Sequence, residues 1–447
     1  MIPYPTKIDK NSFLRDFDKP KYGLPKKVLF CKKCLISNQR PNSTVEFKND
    51  GIKDKEPINF TDGICDACIA TEKKNKINWE QRELELIDLC DKYRKTDGEY
   101  DCLVPGSGGK DSFMQAHILK YKYKMNPLTV TWAPHIYTDW GRRNHQRWID
   151  SGLDNILFTP NSRIHRLLTR FAVDKLFHPF QPFIIGQKNL GPQLASLYNI
   201  DLVFYGENEA EYGNPLGDND SAFRDKSFYT RSEDDSIFLG GMPLDELYSL
   251  GISKNELKPY LPIKVSNNSS KNIQVHYLGY YLKWHPQGAY YYSVENGGFE
   301  SSPERTAGTY SVYNSIDDKI DDFHYHTTYI KFGYGRATED AAQEIRSGDI
   351  TRSEGMMLIK KYDGEYPSRW ADEIFEYLSL KKDEYPKKIY DFFESPTFNS
   401  EYYELLCDNF RSPHIWEWNI NEEKWVLREK LLENNENGDF ISWEGNN

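Results

Sequence analysis

Two stretches of this sequence hold residue types whose spacing suits chemistry. The first is Ser107-Gly108-Gly109-Lys110-Asp111-Ser112. It lies between a predicted strand and a predicted helix, where backbone N–H groups freed by glycine and by the helix start point toward an anion. Hydroxyls of Ser107 and Ser112 can add hydrogen bonds and Lys110 a point charge, so the stretch reads as a phosphate cradle. A Walker A loop would put Gly where Val104 stands and Ser or Thr where Asp111 stands. A dinucleotide fingerprint would also need Gly at position 111. The bland alternative is a glycine-rich turn with a capping aspartate.

The second stretch is a pair of knuckles, Cys31-Lys-Lys-Cys34 and Cys65-Asp-Ala-Cys68. Two thiolates from each would complete a tetrahedral four-cysteine site, suited to structural Zn2+ and leaving no open position for catalysis. The gap between the knuckles is longer than in the usual zinc ribbon, so the intervening loop must be ordered by more than the metal. An Fe–S cluster and redox thiols are the competing uses. Cys90 and Cys102 read as core, and Cys407 has no evident partner.

The elements that must position these residues form three zones. Residues 1–75 hold both knuckles and few apolar residues. Residues 76–265 alternate strand and helix patterns: strands at Tyr100–Val104, Leu128–Trp132, Asn155–Thr159 and Asp201–Tyr205, and helices after Asn78, at Asp111–Lys122, Arg142–Gly152, Arg163–Lys175 and Asn189–Tyr198. This alternation predicts an α/β fold, a parallel sheet with helices on both faces. Residues 266–447 read as mainly helical and aromatic-rich, with a loop at Ser266–Ser270, a helix capped by Thr338, a capping box at Thr351-Arg-Ser-Glu354, and a frayed tail from 430.

Ligands bind at the C-terminal edge of a parallel sheet, so loops following the strands supply further candidates. After the fourth strand, Gly206-Glu207-Asn208-Glu209-Ala210-Glu211-Tyr212-Gly213 offers carboxylates, of which Glu207 and Glu211 are candidates for Mg2+ bridging phosphates. After the second strand, His135, Asp139, Arg142, Arg143 and Asn144 are candidates for adenylate or an anionic substrate, with Asp139 alternatively capping a helix. Phe180-Gln-Pro-Phe183 and Gln187-Lys188-Asn189 could line the pocket, and His324-Tyr-His326 with Lys331-Phe-Gly-Tyr-Gly-Arg336 could close over it.

The 447 residues carry 57 Lys+Arg against 68 Asp+Glu, a net charge of −11. That balance disfavours a general nucleic-acid binder, which needs a cationic face, yet leaves room for a local basic pocket. Seven cysteines are too few for a disulfide scaffold. No apolar run suits a membrane span or a secretory signal, so the expected location is the cytoplasm.

The loop spelling resembles the PP-loop of the ATP pyrophosphatases, which split ATP between its α and β phosphates and adenylate a substrate oxygen. With the cysteine pairs ahead of it, Pro179-Phe-Gln-Pro-Phe183, Gln187-Lys188-Asn189, the Gly206–Gly213 segment, Pro303-Glu-Arg-Thr306, Asp317-Asp-Lys319 and Lys331–Thr338, the chain resembles the N-acetyl sugar amidotransferases of bacterial surface-polysaccharide and flagellin-glycan biosynthesis, over roughly residues 25–390. The resemblance implies that ATP with Mg2+ adenylates an acetamido oxygen on an acidic, nucleotide-linked or free sugar, and that ammonia then yields an acetamidino group. Lys110 and Asp111 would be catalytic. No glutaminase elbow is evident and residue 2 is Ile, so a separate glutaminase partner is implied. A tRNA-modifying PP-loop enzyme, of thiolase or lysidine-synthetase type, and a non-catalytic zinc-knuckle interaction module are the alternatives.

Overall fold

The computed structural model describes residues 1–214, 221–265, 272–430 and 444–445. The expected loop at Ser266–Ser270 lies outside them, as does nearly all of the expected frayed tail.

Five short strands, β1 (Cys102–Pro105), β2 (Pro127–Trp132), β3 (Asp154–Phe158), β4 (Leu202–Tyr205) and β5 (Gln274–Tyr277), form one sheet in the order β5-β4-β1-β2-β3. All neighbours are parallel. The first four lie within a residue or two of the sequence expectation. The fifth, Gln-Val-His-Tyr, comes from beyond residue 265, and its short run carries no periodic signal of its own. The chain steps outward from β1 through β2 to β3, then returns to place β4 on the other side of β1. The crevice between the C-terminal ends of β1 and β4 is therefore the switch point of the sheet, where such folds bind ligands.

The helices of this region are α1 (Asp66–Lys74), α2 (Trp79–Tyr93), α3 (Lys110–Tyr121), α4 (Asp139–Asp150), α5 (Ser162–Leu176) and α6 (Gln181–Leu197). Successive strand residues point to opposite faces, and both faces are covered. Cys102, Val104 and Phe204 pack with Leu86, Phe113 and Trp148 of α2, α3 and α4. Leu103, Val130, Trp132 and Val203 pack with Leu167, Phe171, Ile185 and Leu190 of α5 and α6. The Asn78 side chain caps α2 by accepting from the Gln81 amide.

Helix α6 starts eight residues before the expected Asn189. Its Pro182 sits in the first turn, where the missing N–H costs nothing, and its glycines mark close packing rather than breaks. A Cβ on Gly186 would lie 2.3 Å from the Trp132 ring, and one on Gly191 2.8 Å from Pro105. The helix can therefore lie tightly on the sheet only with glycine at both positions.

Beyond the sheet come α7 (Pro286–Gly297), α8 (Asp321–Phe332), α9 (Arg336–Ser347) and α10 (Arg352–Tyr362). The capping box at Thr351 and Glu354 forms. Thr338 does not cap α9: the N-cap is Gly335, and the Thr338 hydroxyl donates to Asp363. Thr338 is unsuited to the cap because Asp363 supplies a stronger acceptor, taking the amides of Gly335 and Thr338 as well. The third zone also contains a hairpin, Trp416–Asn419 paired with Lys424–Leu427. At the free edge of β5, the Ala222–Arg224 segment bonds to the strand: Arg224 N–H donates to Val275 and Tyr277 N–H to Ala222.

Candidate active site

Residues 106–109 turn from β1 into α3. Gly106 N–H still bonds to Val130, extending the ladder by one residue. A Cβ on Gly106 would meet Ser112 at 2.3 Å. Gly108 has φ of +85°, and a Cβ there would come within 2.7 Å of the His145 backbone on α4. Gly109 caps α3 with no side-chain bond, leaving first-turn amides free for an anion. The Ser112 hydroxyl donates to Gly109 O at 3.1 Å, bracing the turn, while burial pushes the Asp317 carboxyl above the usual range and nearby Ser107 opposes that shift.

Lys110 is buried, and its Nζ pairs with Asp111 Oδ2 at 2.7 Å. Asp111 Oδ1 accepts from Trp284 Nε1 at 3.0 Å. Lys110 Nζ also lies 5.7 Å from the Trp284 ring centroid, and Ser293 of α7 donates to Lys110 O. The sequence offered no signal for Trp284, a single aromatic among many.

Across the switch-point crevice, Glu207 follows β4. Burial, reinforced by the charge of Asp111, pushes its carboxyl above the usual range, while the Tyr212 hydroxyl donates to it at 2.7 Å and opposes that shift. The Asp111 charge thus acts on Glu207 from the loop, and the Lys110 charge offsets part of that effect. Glu211 points elsewhere: it is paired with Lys74 of α1. Glu209 accepts from Ser43, Asn214, Arg224 and Tyr277, so it organises the rim rather than facing the crevice.

The loop after β2 is clamped by the C-terminal zone. Thr138 N–H donates to Asp317 O, and Asp318 accepts from His135 Nδ1 at 2.7 Å and from the His135 and Ile136 amides. Thr138, not Asp139, caps α4, because its hydroxyl reaches the Gly141 amide at 3.0 Å. Gly141 allows the close approach, since a Cβ would sit 2.6 Å from Asp317 Cα. Of the basic candidates there, Arg142 lies 4.4 Å from the Tyr137 ring centroid. Arg143 pairs with Glu300 at 2.6 Å, and Asn144 exchanges hydrogen bonds with the Glu300 backbone. Both are thereby committed to holding residue 300.

On α6, Gln187 is half-buried. Lys188 lies 5.0 Å from the Phe228 ring centroid, and burial with neighbouring Arg224 pulls its ammonium down to about 8. Gln181 and Asn189 serve the scaffold, bonding backbone groups at Glu46, Phe238, Gly240 and Tyr260.

A cavity of about 350 Å³ lies among the N-terminal zone, α5, α6, α8 and the start of α9, with no residue of the Ser107–Ser112 loop in its lining. Phe180, His324, Lys331 and Arg336 line it, as do Arg40, Lys53, Lys55 and Lys175. His326 does not; it bonds Tyr403. Asp321 borders the cavity. Burial and the charges of Asp317, Asp318 and Asp322 hold its carboxyl well above the usual range, with Arg336 opposing.

The four cysteines converge as the spacing implied. One sulfur from each lies within 4.8 Å of every other, all buried. Cys31 and Cys68 sulfurs are 3.7 Å apart, those of Cys34 and Cys65 3.5 Å. A Zn–S length of about 2.3 Å in a tetrahedron places sulfurs about 3.8 Å apart, so the donors fit one tetrahedral ion. Cys90 and Cys102 are core, and Cys407 is buried in a separate cluster.

Residues 307–432 match the family model of the C-terminal domain of WbpG-like LPS biosynthesis proteins. The matched segment contains Asp317 and Asp318, which bond the loop after β2, and Asp321 and Arg336, which line the cavity. An uncharacterized protein of Methanocaldococcus jannaschii is 38% identical over 79 residues, which is 17% of this chain. The chain thus spans 28% of the length of that relative. Among solved structures, the U34-tRNA thiolase NcsA from Methanococcus maripaludis with its [4Fe-4S] cluster is similar over 66% of this chain and 84% of its own, at 13% identity and a TM-score of 0.25. No helix among the described residues is long and apolar enough to cross a membrane.

Proposed function

We propose that the protein is a PP-loop amidotransferase that uses ATP to convert the acetamido group of an acidic, nucleotide-linked sugar into an acetamidino group. The observation that carries this reading is the pairing of an intact Ser107–Ser112 loop at the sheet switch point with a WbpG-like segment whose Asp317 and Asp318 bond the loop after β2.

The α3 amides and Lys110 would hold the ATP phosphates, and Asp111 with Glu207 would hold Mg2+. Bound there, Mg2+ supplies charge neutralisation on the phosphates. The acetamide oxygen attacks the α-phosphorus, and pyrophosphate leaves. Ammonia then attacks the activated carbon, AMP departs with the former amide oxygen, and one proton is lost, leaving the amidine. Because charge develops on phosphate and on the activated amide, preorganised donors at the loop are the means of acceleration. The cavity beside Asp321 and Arg336 suits the acceptor: Lys53, Lys55 and Lys175 line it and form no ion pair among the described residues. The four-cysteine cluster would hold structural Zn2+, and ammonia would come from a separate glutaminase acting beside this enzyme in the cytoplasm.

Incubation with ATP, Mg2+, ammonium and a panel of nucleotide-linked N-acetyl sugars tests the reading. The expected result is sugar-dependent release of AMP and pyrophosphate, with exchange of oxygen for NH in the sugar. Release elicited by tRNA and by none of the sugars would overturn it in favour of a tRNA-modifying enzyme. Asp111→Ala should abolish release while leaving bound metal unchanged.

A further inference from the structure

The cysteine cluster is tied to the active-site edge by one side chain. Arg346, near the end of α9, points Nη1 at Cys34 Sγ, 3.4 Å away, and donates from Nη2 to Glu211 O at 2.9 Å. One guanidinium therefore touches a cluster sulfur and the backbone of the rim that follows β4. A planar fork with several donors suits such a bridge, whereas an ammonium presents a single point.

Neighbouring contacts converge on the same rim. Helix α1, which carries Cys68, holds Glu211 through Lys74, and Lys74 also donates to Trp284 O at 2.8 Å. Arg40 donates to Tyr212 O and to Glu339 of α9. Gly213 closes the rim against Ala67, where a Cβ would stand 3.5 Å away. At its other end the rim presents the Tyr212 hydroxyl to Glu207, on which the Asp111 charge acts from the loop. Ala342 of α9 is itself packed into the cysteine cluster.

We propose that Arg346 is a positioning residue through which the metal-loaded cysteine cluster sets the place of Glu207 in the nucleotide site. The cluster is then not only a staple for the N-terminal zone but the fixed post from which the rim is hung. This rests on the reading of Glu207 as a nucleotide-site carboxylate. It predicts that damage to the cluster is felt at the rim while the sheet itself is untouched.

Arg346→Gln, compared with metal-loaded and chelator-treated wild-type protein, tests it by hydrogen exchange, metal content and binding of a fluorescent ATP analogue with Mg2+. The expected Arg346→Gln protein keeps wild-type metal content and wild-type exchange in residues 102–105 and 127–132. Exchange across 206–213 rises, and affinity for the magnesium nucleotide falls about tenfold, the usual scale for losing a supporting contact. Glu207→Gln should cause the same loss of affinity, and the double variant no further loss, because the two act as one unit. Retained metal with unchanged exchange at 206–213 overturns the proposal, as does a fully additive double variant. If Arg346→Gln loses its metal, chelated wild-type protein decides: raised exchange at 206–213 supports the proposal, and unchanged protection there overturns it. Absence of sugar-dependent AMP release, with the exchange response intact, would instead sink only the amidotransferase reading.

Discussion

The glycine loop and the cysteine cluster solve opposite assembly problems. The loop is six consecutive residues, and most of its shape is decided within its own turn: Ser112 braces Gly109, Lys110 pairs with Asp111, and Gly108 takes the left-handed conformation that glycine permits. The cluster draws its four sulfurs from two segments and its closing wall from α9, more than three hundred residues from the first knuckle. A local device needs a frame to aim it, and the distant device provides part of that frame. On the proposal made for Arg346, a metal site with no open position also serves the nucleotide site by fixing the chain that passes beside it.

The largest expected effect comes from breaking the assembled region. Cys34→Ser should remove the metal and cost on the order of 10 kcal/mol in the N-terminal zone. Metal analysis with limited proteolysis checks it: cleavage should appear within residues 25–75 while β1 to β3 stay protected. Cleavage spreading through the sheet would mean that the two regions fold as one unit.

Breaking the local region should cost less in stability and as much in function. Gly108→Ala forces a left-handed alanine whose Cβ meets α4, an expected loss of about 2 kcal/mol or more by urea unfolding, with nucleotide binding abolished. Wild-type binding would show that the loop does not need that turn.

A third variant sharpens the comparison through pH. Burial pushes the Asp322 carboxyl up to about 7, and its Oδ2 finds no partner among the described residues. A folded value above the unfolded one means that the stabilising contribution is full below about pH 4 and is lost as pH rises to about 7. Asp322→Asn should therefore flatten the pH dependence, gaining on the order of 2–4 kcal/mol over wild type above pH 7 relative to acid conditions. Parallel urea curves across that range measure it, and identical slopes would refute the assignment.

The smallest expected effect lies where the regions touch the loop. Trp284→Phe keeps the ring beside Lys110 and removes the N–H donated to Asp111. Nucleotide binding should weaken by about 1 kcal/mol, read by titration, with metal content unchanged.

Legibility in the sequence followed the same division. Loop, knuckles and four strands were readable because each is a short pattern with a mechanism in its own residues. Strand β5 was not, since four residues at a sheet edge owe their conformation to β4 rather than to periodicity. The early start of α6 was hidden because proline and glycine ordinarily signal a break, whereas here Gly186 and Gly191 admit Trp132 and Pro105. Among the candidate site residues, Lys110, Asp111 and Glu207 come together at the switch point. Arg143, Asn144 and Glu211 hold neighbouring chain. Trp284, Lys74 and Arg346 had no local signal, because their roles exist only once distant segments meet.

The bonds from Ala222 and Arg224 to β5 bear on a different matter, the behaviour of the protein in a crowded solution. A parallel sheet ending on a bare strand offers a row of unpaired amides and carbonyls to any passing chain, the usual seed of fibrous association. Here the Val275 carbonyl and the Tyr277 amide are already engaged by the protein's own chain. A second molecule would have to peel that segment away before it could add a strand. The short strap closes this edge of the sheet to strand addition, and its removal should raise the tendency of the protein to precipitate, read by light scattering.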